Sequence, residues 1–451
     1  MTGAASQPLS CDLAILGAGA AGLGAALGAA RDGRDFLLLE SEGRAGGVAR
    51  TEKIAGGMIE RAAHSTLIRD GELWALLESF GLTGSLLPPS REASARLIRT
   101  RAQRLRKLGP AAFLGGLFTP LDLLRLLAEP WFARRRPAPD TLADYARTRW
   151  GENFYRHAFF PIAAGIFAGD PEKLSWRHAF PRLFARAGDG SLLLSLCKPA
   201  PGPHFRSRFV AGRDGLGAWL VQCAAALPPG RLRLRHRVTA LRRLPEGGYE
   251  IQGENDTEPF SLRTRQILCA LDAGSAAALL RPLSAQAASL AEIPFAPVAL
   301  AHLRLPAKDC ALPRALGYLA AADAPAGSLG VLFNSRMFPG RAPDGEESFT
   351  AFFGGRRQPE LAGQRDAALE NILLDELRAL GLTTATQAAH FTVSRWPRAI
   401  PQYELGHEKF IAAAAAIEAA NPGLKIAGNY LYGAGLGEVM AQGMRAARSE
   451  E

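Results

Sequence analysis

Residues 11–22, Cys11-Asp12-Leu13-Ala14-Ile15-Leu16-Gly17-Ala18-Gly19-Ala20-Ala21-Gly22, read as a short buried strand running straight into a glycine-rich turn, after which an alanine-rich helix continues to about Arg31. A second apolar run, Phe36-Leu37-Leu38-Leu39, ends on Glu40. Strand, G-x-G-x-x-G turn, helix, strand and closing acid make a dinucleotide-binding βαβ unit. Gly17 supplies the tight turn, Gly19 lets the backbone approach a pyrophosphate, and Gly22 packs helix on strand. The first-turn positions Ala20 and Ala21 set N–H groups where the helix dipole favours negative charge. Glu40, with Ser41 beside it, takes ribose hydroxyls. The fold class that follows is α/β, with a Rossmann-like nucleotide domain.

Beyond Glu40 the chain reads Ser41-Glu42-Gly43-Arg44-Ala45-Gly46-Gly47-Val48-Ala49-Arg50-Thr51. A Gly pair lets the chain pass close to a cofactor, and Arg44 places fixed positive charge near phosphate. The stretch resembles the R-x-G-G-R-x-x-T fingerprint of flavin amine oxidases, phytoene desaturases and protoporphyrinogen oxidases. Arg44, Gly46, Gly47 and Thr51 match it, and Val48 stands where many members carry a second Arg. The resemblance implies FAD. Near the other end, a Gly-rich turn from Gly433 to Gly437 opens an apolar-faced helix through Val439, Met440 and Gly443. Its N-terminus suits the negative charge that gathers at flavin N1–C2=O on reduction. No Cys lies in that segment, so a non-covalent flavin is expected.

The 451 residues are enough for two or three domains with a large core, and 48% hydrophobic with 21% charged residues is an ordinary globular balance. The formal charge of +10 is concentrated between Arg91 and Arg149 and between Arg231 and Arg243. No nucleic-acid module is visible, so anionic lipid or a carboxylate-bearing ligand is the expected counterpart. Five dispersed cysteines without C-x-x-C spacing indicate reduced thiols and no metal site. Met1 to Ser10 lacks the basic start and apolar run of a secretion signal, and no membrane span is expected. Within Ala111 to Ala128, Asp122 and Arg125 fall on one helical face and Leu123, Leu124, Leu126 and Leu127 on the other. This reads either as a helix lying on a membrane surface or as one buried against a second domain.

Along the chain, 1–87 reads as the first part of the FAD-binding domain, 88–203 as a helical membrane-associating and substrate-entry domain closed by a Pro-rich connector from Lys198 to Pro203. Residues 204–272 return to the FAD-binding domain, with Val238 pointing inward from a strand. Residues 273–395 form a mixed-sheet substrate domain with one long helix at Arg365 to Leu380, and 396–451 complete the FAD-binding domain.

By this point the chain resembles the FAD-dependent protoporphyrinogen oxidases of haem biosynthesis. Gly57-Met58-Ile59-Glu60 with Ser65, Gly165-Ile166-Phe167-Ala168-Gly169-Asp170 with Leu174-Ser175, and Trp396-Pro397-Arg398-Ala399-Ile400-Pro401-Gln402-Tyr403 with Gly406-His407 match family stretches, as does Ala427-Gly428-Asn429-Tyr430 with Gly433, Gly435 and Gly443. Ala62-Ala63 and Gly437-Glu438-Val439 depart from the usual pattern. The resemblance implies oxidation of protoporphyrinogen IX in three two-electron steps, with coproporphyrinogen III as the close alternative and a flavin amine oxidase, a desaturase or a flavin-bearing porphyrin carrier as more distant ones. It implies a ring held between Phe352 on one side and Leu319 and Leu332 on the other, with Gly165 in the substrate set and Arg96 on a propionate. Val48, Val238, Trp396, Gly428, Gly435, Glu438, Val439 and Met440 join the FAD contacts. His64 is a candidate proton acceptor. Oxygen or a quinone as electron acceptor, a peripheral position on the inner face of the cell membrane, a downstream chelatase and a homodimer complete the expectation.

Overall fold

The computed structural model describes residues 9–109, 112, 116–135, 140–187, 190–198 and 205–448. Strand Leu9–Leu16 lies inside a seven-stranded sheet, parallel to Phe36–Leu39 on one side and to Pro259–Cys269 on the other. Leu232–Arg233 flanks Phe36–Leu39, and Tyr249–Glu254 followed by Arg237–Arg243 extends the opposite edge in antiparallel fashion. Leu424–Ile426 pairs in parallel with the end of Pro259–Cys269, so the chain's last part is built into the sheet that its first part begins. Residues Leu13 to Leu16 are all buried, as in a parallel strand covered on both faces. Helices Ala20–Arg31, Gly71–Ser79, Leu216–Ala225 and Leu436–Ala446 cover one face. Ala273–Leu280 and Glu408–Ala420 cover the other.

The contact between Ala20–Arg31 and Leu436–Ala446 is backbone on backbone. A Cβ on Gly443 would lie 1.8 Å from the Ala21 carbonyl oxygen, and one on Gly24 would lie 2.1 Å from the Met440 carbonyl oxygen. Only glycine permits this approach, and it fixes the spacing between the two helices at opposite ends of the sequence.

The second sheet runs in the order His390–Pro401, Phe295–Pro306, Glu346–Gly354, Gly330–Phe333, Gly317–Ala320, Leu97–Arg99, Leu105–Lys107. Helix Asp366–Ala379 packs Leu369, Leu373, Leu374 and Leu377 against Ala301, Leu303, Val331, Phe349, Ala351 and Phe353 on one of its faces. The helical reading of 88–203 does not hold at its start. Leu97–Arg99 pairs with Tyr318–Ala320 and turns through Thr100 to Arg104 into Leu105–Lys107, because Leu97 and Ile98 bury against the sheet edge. Helix Pro120–Leu127 begins on a capping box formed by Thr119 and Asp122. None of its residues is fully buried: Leu126 packs against the cluster that holds Ile98, Phe118 and Ala321, and Arg125 donates to the Arg147 carbonyl, while Leu121, Leu124 and Leu127 are each more than 60% exposed on the outer side. Ala111, Arg136 and the connector from Pro199 to Pro203 lie outside the described residues. Among the described residues no helix is long and apolar enough to cross a membrane.

Candidate functional site

At the nucleotide unit, the Glu40 carboxylate accepts from the Ala18 N–H at 2.8 Å and the Glu42 N–H at 2.9 Å, with the Ser41 hydroxyl donating at 3.3 Å. Each carboxylate oxygen can accept more than one hydrogen bond, so capacity remains for ribose hydroxyls. Gly17 sits at φ 96°, where an L side chain is strained, and a Cβ on Gly22 would lie 1.8 Å from the Gly17 carbonyl oxygen. Gly19 is different: nothing lies within 4 Å of the place its Cβ would take. That open space, in front of the helix that Ala20 and Ala21 begin, fits a pyrophosphate. Gly47 at φ 57° closes on it, with its Cβ position 3.1 Å from Gly19 Cα.

Arg44 does not project freely toward this space. Its guanidinium donates to the carbonyls of Ala45, Ala49 and Gly47, at 3.2, 3.2 and 2.6 Å, and so shapes the Gly46–Gly47 turn. Val48 is exposed beside it. Val238 is half-buried at a bulge in Arg237–Arg243, just beyond His236, whose N–H donates to the Glu40 carbonyl at 2.8 Å.

At the other end, helix Leu436–Ala446 starts on Gly435, which has no side chain to satisfy the first-turn donors. Gly437 N–H donates to Thr66 Oγ1 at 2.9 Å, tying the turn to the segment after the hairpin Thr51–Ile54/Gly57–Glu60. Glu438 pairs with Arg69 at 2.9 Å, while Val439 and Met440 are buried toward the first helix. Gly428 is confined by the Tyr430 ring, 2.4 Å from its Cβ position. Trp396 Nε1 donates to the Arg61 carbonyl at 2.7 Å, directly before Ala62-Ala63-His64. The buried thiols are far from reactive: burial pushes Cys269 up to about 12 and Cys11 up to about 11.

The second sheet presents its uncovered face to this region. Register pairs Leu319 with Gly330 and Gly330 with Phe352, and in the next row Gly317 with Leu332 and Leu332 with Thr350. Residues two apart in a strand share a face, so Leu319, Leu332 and Phe352 lie together, opposite the face under Asp366–Ala379. Gly330 leaves a step between Leu319 and Phe352, and Leu319 leans into it, 2.8 Å from the Gly330 Cβ position. Helix Phe160–Phe167 closes on this row: a Cβ on Gly165 would lie 2.7 Å from Leu319 Cδ2. Ile162 and Ile166, one turn apart on that helix, are exposed. Arg96 is exposed at the sheet edge next to Leu97, in no ion pair among the described residues.

His64 stands edge-on to Phe352, with ring centroids 5.9 Å apart. Its Nε2 is 3.0 Å from Thr350 Oγ1. The residues that surround it were not singled out from the sequence. Thr350 Oγ1 also receives Asn334 Nδ2 at 2.8 Å and contacts His302 Nδ1 at 3.1 Å; His302 Nε2 meets Ser394 Oγ at 3.2 Å, and Arg61 Nη1 donates to Ser394 Oγ at 3.2 Å. Burial, and then the Arg341 cation, pushes the His64 imidazole down to about 4 against the opposing pull of the Ala62 carbonyl. His302 lies well below its ordinary value, chiefly through burial. A small cavity beside His64 is lined by Met58, Glu60, Asn334, Met337, Phe338 and Arg341. Burial raises Glu60, which accepts from Leu216 N–H at 2.6 Å and Thr51 Oγ1 at 2.8 Å. The available signal was a polar residue at every second place in an apolar strand: His302 and Arg304 in Phe295–Pro306, Ser348 and Thr350 in Glu346–Gly354.

The profile of flavin containing amine oxidoreductases matches residues 20–449. The chain belongs to that family. It is therefore an FAD-dependent oxidoreductase, and the open Gly19 cradle, the Glu40 carboxylate and the uncapped turn at Gly435 fit that cofactor. Among its relatives, protoporphyrinogen oxidase 1 of the Spinacia oleracea chloroplast is 26% identical, aligned over 89% of this chain and 76% of that protein. Coproporphyrinogen III oxidase of Propionibacterium freudenreichii is also 26% identical, over 97% and 90%. A solved structure from Exiguobacterium sp. 255-15, provisionally named a protoporphyrinogen oxidase, superposes with TM-score 0.78 at 22% identity, covering 98% of both chains. Putrescine oxidase shares the fold at TM-score 0.70 and 16% identity, over 98% of this chain and 99% of that one.

Proposed function

We propose that this flavoenzyme oxidises protoporphyrinogen IX to protoporphyrin IX, removing six electrons in three two-electron steps. The observation that carries the reading is the apolar face of Leu319, Leu332 and Phe352, closed by the helix that bears Gly165, in a family whose relatives include named porphyrinogen oxidases. Bound FAD supplies the two-electron acceptor. The chain's own work is then to hold a large, apolar, dianionic ring against that acceptor and to keep water out. Phe352 offers an aromatic face on one side of the Gly330 step and Leu319 an aliphatic one on the other, with Leu332 two residues along the Gly330 strand. Arg96, with no carboxylate partner among the described residues, suits bidentate pairing with a propionate at the rim. In this reading the first sheet holds the cofactor and the second the substrate.

Coproporphyrinogen III is the second reading. It is supported by the relatives of that name at 26% identity and by the surplus of arginines, which two further carboxylates would engage. Anaerobic mixing of the yellow protein with each porphyrinogen, followed by flavin bleaching, tests both. Bleaching at least tenfold faster with protoporphyrinogen IX is the expected result, faster bleaching with coproporphyrinogen III selects the second reading, and a flavin that stays oxidised with both refutes them.

A peripheral position at the inner membrane face belongs to the same proposal. Helix Pro120–Leu127 turns Leu121, Leu124 and Leu127 outward, followed by exposed Trp131, among basic residues that suit an anionic lipid surface. An apolar substrate would reach the site from that surface, and oxygen or a quinone would take the electrons away.

A further inference from the structure

The hydrogen bonds around His64 admit one consistent arrangement of protons. A threonine hydroxyl has one proton and two accepting lone pairs. Asn334 donates to Thr350 Oγ1 and uses one lone pair, so of the two imidazole nitrogens that meet this oxygen one must donate and the other accept. Ser394 resolves which. Arg61 has only donors and already donates to Ser394 Oγ, and among the described hydrogen bonds His302 Nε2 is the acceptor within reach of the Ser394 hydroxyl proton. His302 Nε2 is then unprotonated and its Nδ1–H donates to Thr350. The Thr350 proton is left for His64 Nε2. A neutral ring whose Nε2 accepts carries its own proton on Nδ1, and so does His64.

With His302 held in that tautomer, the same count leaves no place for a charged His64 ring. An imidazolium at His64 would put three donors, from Asn334, His302 and His64, on two lone pairs of Thr350, and would strand the hydroxyl's own proton in a site where Thr350 is fully buried and His302 is 4% exposed. The charged and titratable groups that face the pair do not compensate. They are Arg61 with its partner Glu52, Arg341 over the cavity with Glu60 beyond it, and His390 from strand His390–Pro401.

We propose that Thr350 and His302 are positioning residues that hold His64 as a neutral Nδ1–H ring, so that His64 forms a fixed wall beside Phe352 and does not take up the proton that substrate oxidation releases. The proposal rests on Phe352 lining the substrate site, and it replaces the acid–base role that a lone histidine near a flavin suggests. Arg61, from the segment that Trp396 fastens, orients the whole row through Ser394.

The test is a nitrogen-15 NMR titration of the histidine side chains in the holoprotein from pH 8 to 5, with resonances assigned through His64→Gln and His302→Gln. The expected result is that both rings stay neutral throughout, His64 with a pyrrole-type Nδ1 and an acceptor-type Nε2. A His64 midpoint between pH 5.5 and 7.5, or an Nε2–H tautomer, overturns the proposal. In Thr350→Val the Nε2 acceptor loses its donor, so His64 should show tautomer exchange and a midpoint raised by at least one pH unit, and Thr350→Ser should restore the wild-type spectrum. A Thr350→Val spectrum identical to wild type also overturns it. The wild-type titration decides alone if the valine variant does not fold. Because the readout needs no substrate, a protein that bleaches with neither porphyrinogen would refute the proposed reaction and leave this result standing.

Discussion

Replacing Gly443 with alanine should separate the two helices that come from opposite ends of the chain and meet beside the proposed FAD site. The new Cβ would lie 1.8 Å from the Ala21 carbonyl oxygen and 2.6 Å from its carbon, while real Cβ contacts essentially never fall under 3.0 Å. Both partners are helix backbone, so neither can swing aside, and the helices must part by roughly an ångström or more at a point where Gly24 meets Met440 just as closely. Overpacking of this kind costs about 1–3 kcal/mol. If the apoprotein relaxes by opening and FAD must close it again, that cost appears in binding, as a loss of about 5- to 150-fold in affinity. If it cannot relax, the cost appears in the melting temperature of both forms. Gly28→Ala, on the facing helix Ala20–Arg31, is the control at the same helix pair: its Cβ would sit 3.4 Å from Met444 Cγ, an ordinary contact, and the exchange should add about 0.5–1 kcal/mol through helix propensity. Flavin fluorescence titration and thermal melts of apo and holo forms read both variants. Gly443→Ala with unchanged FAD affinity and unchanged melting temperatures would refute the reasoning, because it would mean the helices are not in backbone contact.

Three further outcomes are expected. Gly165→Ala meets the far end of a flexible side chain, Leu319 Cδ2 at 2.7 Å, so it should fold normally but push Leu319 toward the Gly330 step and raise the porphyrinogen KM severalfold; steady-state kinetics with an unchanged KM would count against the wall. Stability should fall as the medium is acidified from about pH 6.5 toward 4. His64 and His407 are each pushed down to about 4, so between these limits the unfolded chain binds more protons than the folded one, and each ring withdraws at most about 3 kcal/mol. Calorimetry showing no decline between pH 7 and 5 would contradict this. Leu124→Glu together with Leu127→Glu should reduce sedimentation with anionic vesicles at least fivefold without lowering the melting temperature, since both side chains are over 60% exposed.

The nucleotide unit was legible because its geometry is local: five glycines and one acid within 31 residues specify a turn, an approach and a closing hydrogen bond. The alternation of the second sheet was legible for the same reason. Where the reading failed, the determinant was not local. Leu97–Arg99 and Leu105–Lys107 are three-residue strands inside an arginine-rich stretch, and they become strands only because Tyr318–Ala320, more than 200 positions on, offers an edge. Spacing singles out Arg44 as a cation near phosphate, yet its guanidinium turns to three carbonyls of its own loop, a choice that spacing cannot encode. The row from Arg61 through Ser394, His302 and Thr350 to His64 draws on four separate segments and has no contiguous signature at all.

That row also says what the uncovered face of the second sheet is for. A sheet face turned toward the middle of a protein is normally filled with aliphatic side chains, as the opposite face of this one is under Asp366–Ala379. Here buried His302, Thr350, Asn334 and Ser394 occupy it, and each is hydrogen-bonded to another of the group. Burying four polar side chains gives no stability advantage over an apolar filling of equal volume and at best breaks even when every donor and acceptor is matched. Such an arrangement persists where position matters more than energy. The residue it positions is His64, and what His64 touches is Phe352, the aromatic member of the apolar wall. The polar row therefore supports the reading of that wall as a ligand surface independently of any relative: a face that only had to fill space would not need its histidine fixed to a single tautomer.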